Sequence, residues 1–327
     1  MLWHWLVTLR MPMVLVLLVI TMTILTGGLD GSFARPQNLI NVARQISFEA
    51  TVAFGMTLII VTGGIDLSVG SLIALTGVVA AVAMRATLDW PPAACVMFGL
   101  AAGAGAGLFA GTLSGLVITQ FSIPPFIVTL SAMLVARGFA FIVCSGEPVW
   151  ELPAALRTLG RGFLLEDTLG PVLPIPVLVM LTAFAFFHVL LSGTVFGRGV
   201  VAIGSNEQAA RLAGIAVKRT RLMVYMVTGL LCGIVGVMLD GKLMAADPTT
   251  ADMWELRIIA AVVVGGTSLF GGRGSIPGTL IGALIIGVLN NSLNLLHVEH
   301  FWQQVVLGGV ILLAAMMDVG LRRLGRQ

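Results

Sequence analysis

Charge is what this chain has least of. Only 10% of its 327 residues are Asp, Glu, Lys or Arg, where soluble domains carry roughly 25%. A surface facing water cannot be built from so few, and with 58% hydrophobic residues the chain reads as an integral membrane protein. Cysteine and histidine are also scarce. Cys95, Cys144 and Cys232 sit in apolar runs at wide spacing. They offer neither a metal motif nor an evident disulfide pair and read as small buried hydrophobes. His4, His188, His297 and His300 lie near expected membrane boundaries, without the spacing of a metal or nucleophilic site. No acid–base cluster stands out, so no catalytic residue, metal or cofactor is assigned. Polar stretches long enough for a nucleotide-binding domain are missing as well. Apolar runs extend from Met11 to Val319, and residues 1–327 read as a single transmembrane domain.

The apolar runs fall near residues 11–29, 45–62, 66–86, 93–118, 125–144, 173–192, 222–240, 257–272, 275–295 and 302–320. The fold class is therefore all-α and polytopic, with about ten (8–10) transmembrane helices, several near the lower limit of the roughly 20 residues a span needs. The first run resembles a signal peptide, but it follows Trp3, Trp5 and Arg10 and no A-x-A site follows it, so it reads as a retained helix. Loop charge gives the orientation. Residues 193–221 carry Arg198, Arg211, Lys218, Arg219 and Arg221 against Glu207, and the C-terminal segment carries Arg322, Arg323 and Arg326; both read as cytoplasmic. Residues 145–171, with Glu147, Glu151, Glu166 and Asp167 against Arg157 and Arg161, and the acidic stretch 240–255 around Lys242, read as external. Ten spans with both termini cytoplasmic satisfy all of these.

Glycine is abundant. Gly99, Gly103, Gly107, Gly111 and Gly115 recur every fourth residue in one run, a smooth stripe against which a neighbouring backbone can pack. Two nucleotide-like patterns are decoys. Gly105-x-Gly107-x-x-Ala110 lacks the strand–helix context of a dinucleotide site. Gly236-x-x-x-x-Gly241-Lys242 has Leu243 where a phosphate-binding loop needs Ser or Thr.

Two stretches stop behaving like simple apolar helices. From Thr62 to Gly77 the run breaks on Gly63-Gly64, shows Asp66, Ser68 and Ser71, then resumes. Inside a bilayer, irregular backbone and a carboxylate are tolerated only where protein or a water-filled cavity satisfies them. Asp66 reads either as the acid holding the next helix start or as a pathway group. Val262 to Gly287 repeats the design, with Gly265-Gly266, Thr267, Ser268, Gly271-Gly272 and then Ser275 opening a helix. Two broken helices in corresponding places mark a transporter built from repeats with a site between them. Loop charge gives both breaks one orientation, so the symmetry stays open. Between them, residues 200–222 form the longest polar stretch inside. Ser205 or Asn206 caps a short helix over Glu207 to Leu212 and Gly214 ends it, either as a connecting loop or as a docking element. Glu49 with Arg44 reads as an intramembrane pair or as interfacial.

Three motifs in this order, Gly63-Gly64-Ile65-Asp66-Leu67-Ser68-Val69-Gly70-Ser71, Ala202-Ile203-Gly204-Ser205-Asn206-Glu207 with Gly214-Ile215, and Gly265-Gly266-Thr267-Ser268-Leu269 with Gly271-Gly272-Arg273-Gly274-Ser275, resemble the ribose-type sugar permeases of bacterial ABC importers. Leu289-Asn290-Asn291 and Arg137-Gly138 extend the resemblance, which runs over about residues 38–317. It implies a permease subunit in a bacterial inner membrane, paired with a second permease copy in a homodimer or heterodimer. It also implies a cytoplasmic ATPase as motor and a periplasmic binding protein that delivers a monosaccharide. Gly204, Ser205, Asn206, Glu207, Ala209, Ala210 and Gly214 then look like the coupling loop to the ATPase. Arg257 departs from the resemblance, which has Asp there. Neutral, hydroxyl-rich sugars need short polar groups in the pathway, and Asn41, Gln45, Thr62, Asp66, Ser68, Ser71, Asn290, Asn291 and Asn294 are the candidates. The alternatives are a secondary transporter using Asp66 or Glu49 as proton site, a channel, or an ABC permease for a nucleoside or a furanose signal.

Overall fold

The computed structural model describes residues 2–28, 31–164 and 173–324, leaving aside the side chains of 2–10, 300 and 317–324. Glu166, Asp167 and Arg326 of the loop-charge reading thus lie outside the described residues. The described chain is helical almost throughout: α1 (Leu2–Leu25), α2 (Pro36–Val61), α3 (Val69–Arg85), α4 (Pro92–Phe121), α5 (Pro125–Val143), α6 (Leu156–Arg161), α7 (Ile175–Gly193), α8 (Val195–Ser205), α9 (Glu207–Leu212), α10 (Val217–Leu243), α11 (Trp254–Val264), α12 (Ile276–Leu295) and α13 (His300–Leu324). Two two-residue strands, β1 (Phe163–Leu164) and β2 (Leu173–Pro174), pair antiparallel after α6. Pro stands in the first turn of α2, α4, α5, α7 and α12, where its missing N–H costs no hydrogen bond.

Among the described residues six helices (α2, α4, α5, α7, α10 and α12) are long and apolar enough to cross a membrane. The protein is therefore a polytopic α-helical membrane protein. Of the ten apolar runs, those over 11–29, 66–86, 257–272 and 302–320 fall on helices outside this set, and the run over 257–272 is helical only as far as Val264, because Gly265-Gly266 ends it and leaves a helix too short to cross alone.

α2 is the axis. From Ile46 to Val61 every residue is buried, with α10, α7, α12 and α11 packed around it, so it is enclosed on all faces rather than along one stripe. On one flank α3, α4 and α10 form a tight trio. A Cβ on Gly107 would strike the carbonyl oxygen of Gly229, one on Gly111 that of Tyr225, and one on Gly99 the side chain of Met84 in α3. The regular stripe on α4 is thus a backbone-to-backbone seam, mostly against α10. The second decoy has the same use, since a Cβ on Gly236 would sit 2.6 Å from the carbonyl oxygen of Ile73, and one on Gly241 would strike that of Leu156. Lys242 lies over the Phe48 ring at 5.3 Å.

Candidate functional site

Both helix breaks are built alike. After α2, Gly63 N–H donates to Ile60 O at 2.9 Å and Gly64 N–H to Ile59 O at 3.0 Å; after α11, Gly266 N–H donates to Val263 O at 2.9 Å and Thr267 N–H to Val262 O at 3.2 Å. These are the paired bonds of a Schellman cap, with Gly63 at φ 81° and Gly266 at φ 91°, a conformation glycine adopts without a Cβ penalty. The breaks also touch. Gly272 N–H donates to Val61 O at 2.9 Å, and a Cβ on Gly271 would lie 3.0 Å from Gly63 N. Gly204, near the end of α8, fits into this corner so closely that a Cβ would strike Val61 O and approach Gly272 N to 2.5 Å.

α9 follows directly. The Asn206 side chain accepts from Ala209 N at 3.0 Å and so caps it; of the two predicted caps, Asn206 serves and Ser205 instead donates back to Val201 O. Gly214 N–H and Ile215 N–H close the far end on Arg211 O and Ala210 O. Ala210 packs with Ile203 and Val217. Glu207 is 3.0 Å from Arg211 and 2.8 Å from Arg221, so it fastens α9 to α10. Outward-facing are Gln208, Ala209, Arg211 and Leu212. Leu212 is 91% exposed, and only a helical-wheel reading of this short segment would have singled it out.

The remaining sequence-predicted residues do not form one cavity. Asp66 is 3% exposed and accepts from Ser68 N at 2.8 Å and Ser68 Oγ at 2.6 Å, a local turn that sets up α3. Thr62 donates to Ile59 O, and Ser71 is buried. Asn291 and Asn38 exchange reciprocal amide bonds at 2.9 and 3.0 Å, and Asn294 accepts from Gln303. Asn41 is exposed and Gln45 partly so. Asn290 is different: its buried Nδ2 has no partner, and with Arg257 it lines a cavity of about 230 Å³ between α11, α12 and α13.

Two features escaped the sequence. Residues 244–253 are tied back to the helices. Thr250 O accepts from Arg137 Nη1 at 3.0 Å, as does Pro248 O at 2.5 Å, and a Cβ on Gly70, in the first turn of α3, would approach Ala251 O to 2.6 Å and Glu255 Oε2 to 2.5 Å. A third irregular segment therefore meets the first break's far end, held by the arginine of the Arg137-Gly138 pair. Second, Glu49 is buried in the protein and is not paired with Arg44. It is 4% exposed and its Oε1 lies 3.6 Å from Arg257 Nη1, while Arg44 donates to Arg161 O and covers the Phe163 ring. Among the described residues no three His, Cys, Asp or Glu side chains converge as a metal site would need.

Many apolar helices, six of them among the described residues long enough to span a membrane, define a multi-pass α-helical membrane protein. The chain belongs to the family described as branched-chain amino acid transport system / permease component, whose model matches residues 38–315. It is 44% identical over 299 residues to the ribose import permease protein of Bacillus subtilis, covering 91% of this chain and 89% of that one. Identity to the ribose import permease protein of Escherichia coli K12 is 40% over 294 residues, with coverage of 90% and 89%. The L-arabinose ABC transporter permease protein of Azospirillum brasilense is 36% identical over 309 residues, with coverage of 94% and 87%. No solved structure matches. The chain is thus a transport subunit, not an enzyme, in a bacterial ABC importer.

Proposed function

We propose that this protein is the membrane pathway of an ATP-driven importer for a monosaccharide such as ribose or a related pentose or hexose. A cytoplasmic ATPase drives it, a periplasmic binding protein supplies it, and a second permease copy, identical or related, completes the pathway. The carrying observation is the corner at Gly204, where the segment leading into α9 bears directly on the ends of both broken helices. A push on α9 reaches Val61 and Gly272 through backbone contacts that have no slack. The relatives' names, ribose and arabinose permeases, support the substrate class. On this reading residues 1–327 are one permease domain crossing the inner membrane about ten times with both termini cytoplasmic. Gly204 to Gly214 receives the ATPase, and the sugar passes groups such as Asn41, Gln45 and Asn290. Thr62, Asp66, Ser68 and Ser71 shape the wall of that path more than its lining, while Asn291 and Asn294 hold neighbouring helices.

Reconstitution into vesicles with and without the ATPase subunit tests the proposal. Uptake of labelled pentose requires ATP and the ATPase; uptake driven by a proton gradient alone overturns it in favour of a secondary transporter. The docking assignment has its own check. Leu212→Asp is expected to abolish co-purification of the ATPase while leaving the permease's melting temperature unchanged, because the side chain touches little of its own chain. Retained co-purification removes α9 as the docking element.

A further inference from the structure

An apolar crevice of about 500 Å³ runs along α3, α4 and α5, lined by Leu75, Phe109, Leu113, Val135 and Phe139 among others. A second hollow, of about 230 Å³, lies where α4 turns into α5 and is lined by Glu207, Arg211, Lys218 and Arg221. Ile123 lines both, so the two lie side by side with that side chain between them. Glu207 is already engaged by Arg211 and Arg221, and Lys218 is exposed with no carboxylate partner among the described residues. The hollow therefore holds more positive than negative charge. An apolar slot with a basic hollow next to it, beside the membrane-crossing helices α4 and α5, has the two halves of a phospholipid site.

We propose that this slot and hollow bind one anionic glycerophospholipid, with an acyl chain against Phe109, Leu113 and Phe139 and the phosphate at Lys218 and Arg221. Arg221 also holds Glu207, at 2.8 Å, so the phosphate joins the network that positions α9. Bound lipid then stiffens the docking helix from the membrane side. Lipid binding here is independent of what the protein transports.

Native mass spectrometry of the purified full chain tests this with phosphatidylglycerol, phosphatidylethanolamine of the same chains, and glycerol 3-phosphate as headgroup alone. Phosphatidylglycerol is expected to be retained roughly tenfold better than phosphatidylethanolamine, a margin that one or two cations near a surface supply. Lys218→Glu removes the preference. Ala132→Phe, which fills the crevice, weakens retention of both lipids. Equal retention of the two lipids by the wild-type chain overturns the proposal. So does full displacement by glycerol 3-phosphate, which would mark an anion site without a lipid slot, or unchanged retention in both variants. Should either variant fail to fold, the wild-type lipid pair and the headgroup competition decide.

Discussion

Replacing Gly107 by leucine is expected to abolish recovery of monodisperse protein in detergent. Lipid is as apolar as the helices it surrounds, so close packing and not the hydrophobic effect holds α4 to α10. At Gly107 the approach is backbone to backbone: a Cβ would strike Gly229 O and lie 3.0 Å from Gly233 N. A crowded side chain can rotate away, but a carbonyl fixed in its helix cannot. Accommodating even one methyl would push α4 outward, and the neighbouring contacts of Gly103 with Val237 and of Gly111 with Tyr225 would open together. Overpacking a core costs about 1–3 kcal/mol where side chains can yield; four more heavy atoms against rigid backbone exceed that, out of a total stability of roughly 5–15 kcal/mol. Gly105→Leu is the control, because two residues earlier on the same helix a Cβ meets nothing within 4 Å. The control should purify with a melting temperature near wild type. Equal behaviour of the two variants would show that the seam carries little of the stability.

That seam also shows where the sequence was legible. A five-membered stripe of glycines at every fourth position announces itself, since residues four apart share a helix face. Its partner was harder to see. Gly229 and Gly233 have the same spacing but only two members, and Gly236 and Gly241, which serve α3 and α6, matched a nucleotide-loop pattern instead. The short helix over Glu207 to Leu212 could be read to the residue because its cap and its stop are local chemistry. Both helix ends at Gly63 and Gly266 were visible for the same reason, since Gly-Gly after an apolar run suits a positive-φ cap. Tertiary facts were not visible. Nothing local says that the two breaks touch each other, or that Gly204 fills the corner between them. Nor could a polar residue's neighbour be inferred from its company in sequence. Asn290 and Asn291 are adjacent, yet a step of about 100° around the helix sends one toward Arg257 and the other to Asn38. Nor does anything local say that carbonyls in residues 244–253 are held by Arg137, far away in sequence.

The second large effect is expected at Arg257. It departs from the resemblance that otherwise orders this chain, and the structure supplies the reason the departure is tolerated: Glu49 on α2 stands 3.6 Å away, in the most enclosed helix of the bundle. Arg257→Met leaves that carboxylate buried with no cation in contact, which costs about 3–5 kcal/mol when a buried pair is broken from one side. Glu49→Gln should be milder, because the Arg257 side chain is partly exposed and lines the cavity with Asn290. The double change Arg257→Met with Glu49→Gln should recover most of the loss, since exchanging both members of a buried pair for neutral groups is often close to neutral. The melting temperature of each purified variant gives the coupling energy as a double-mutant cycle. Arg257→Met as stable as wild type would mean that the pair carries no weight. A double variant that is stable but no longer takes up sugar would separate the two roles open to these charges, assigning the pair to the pathway and not to the fold.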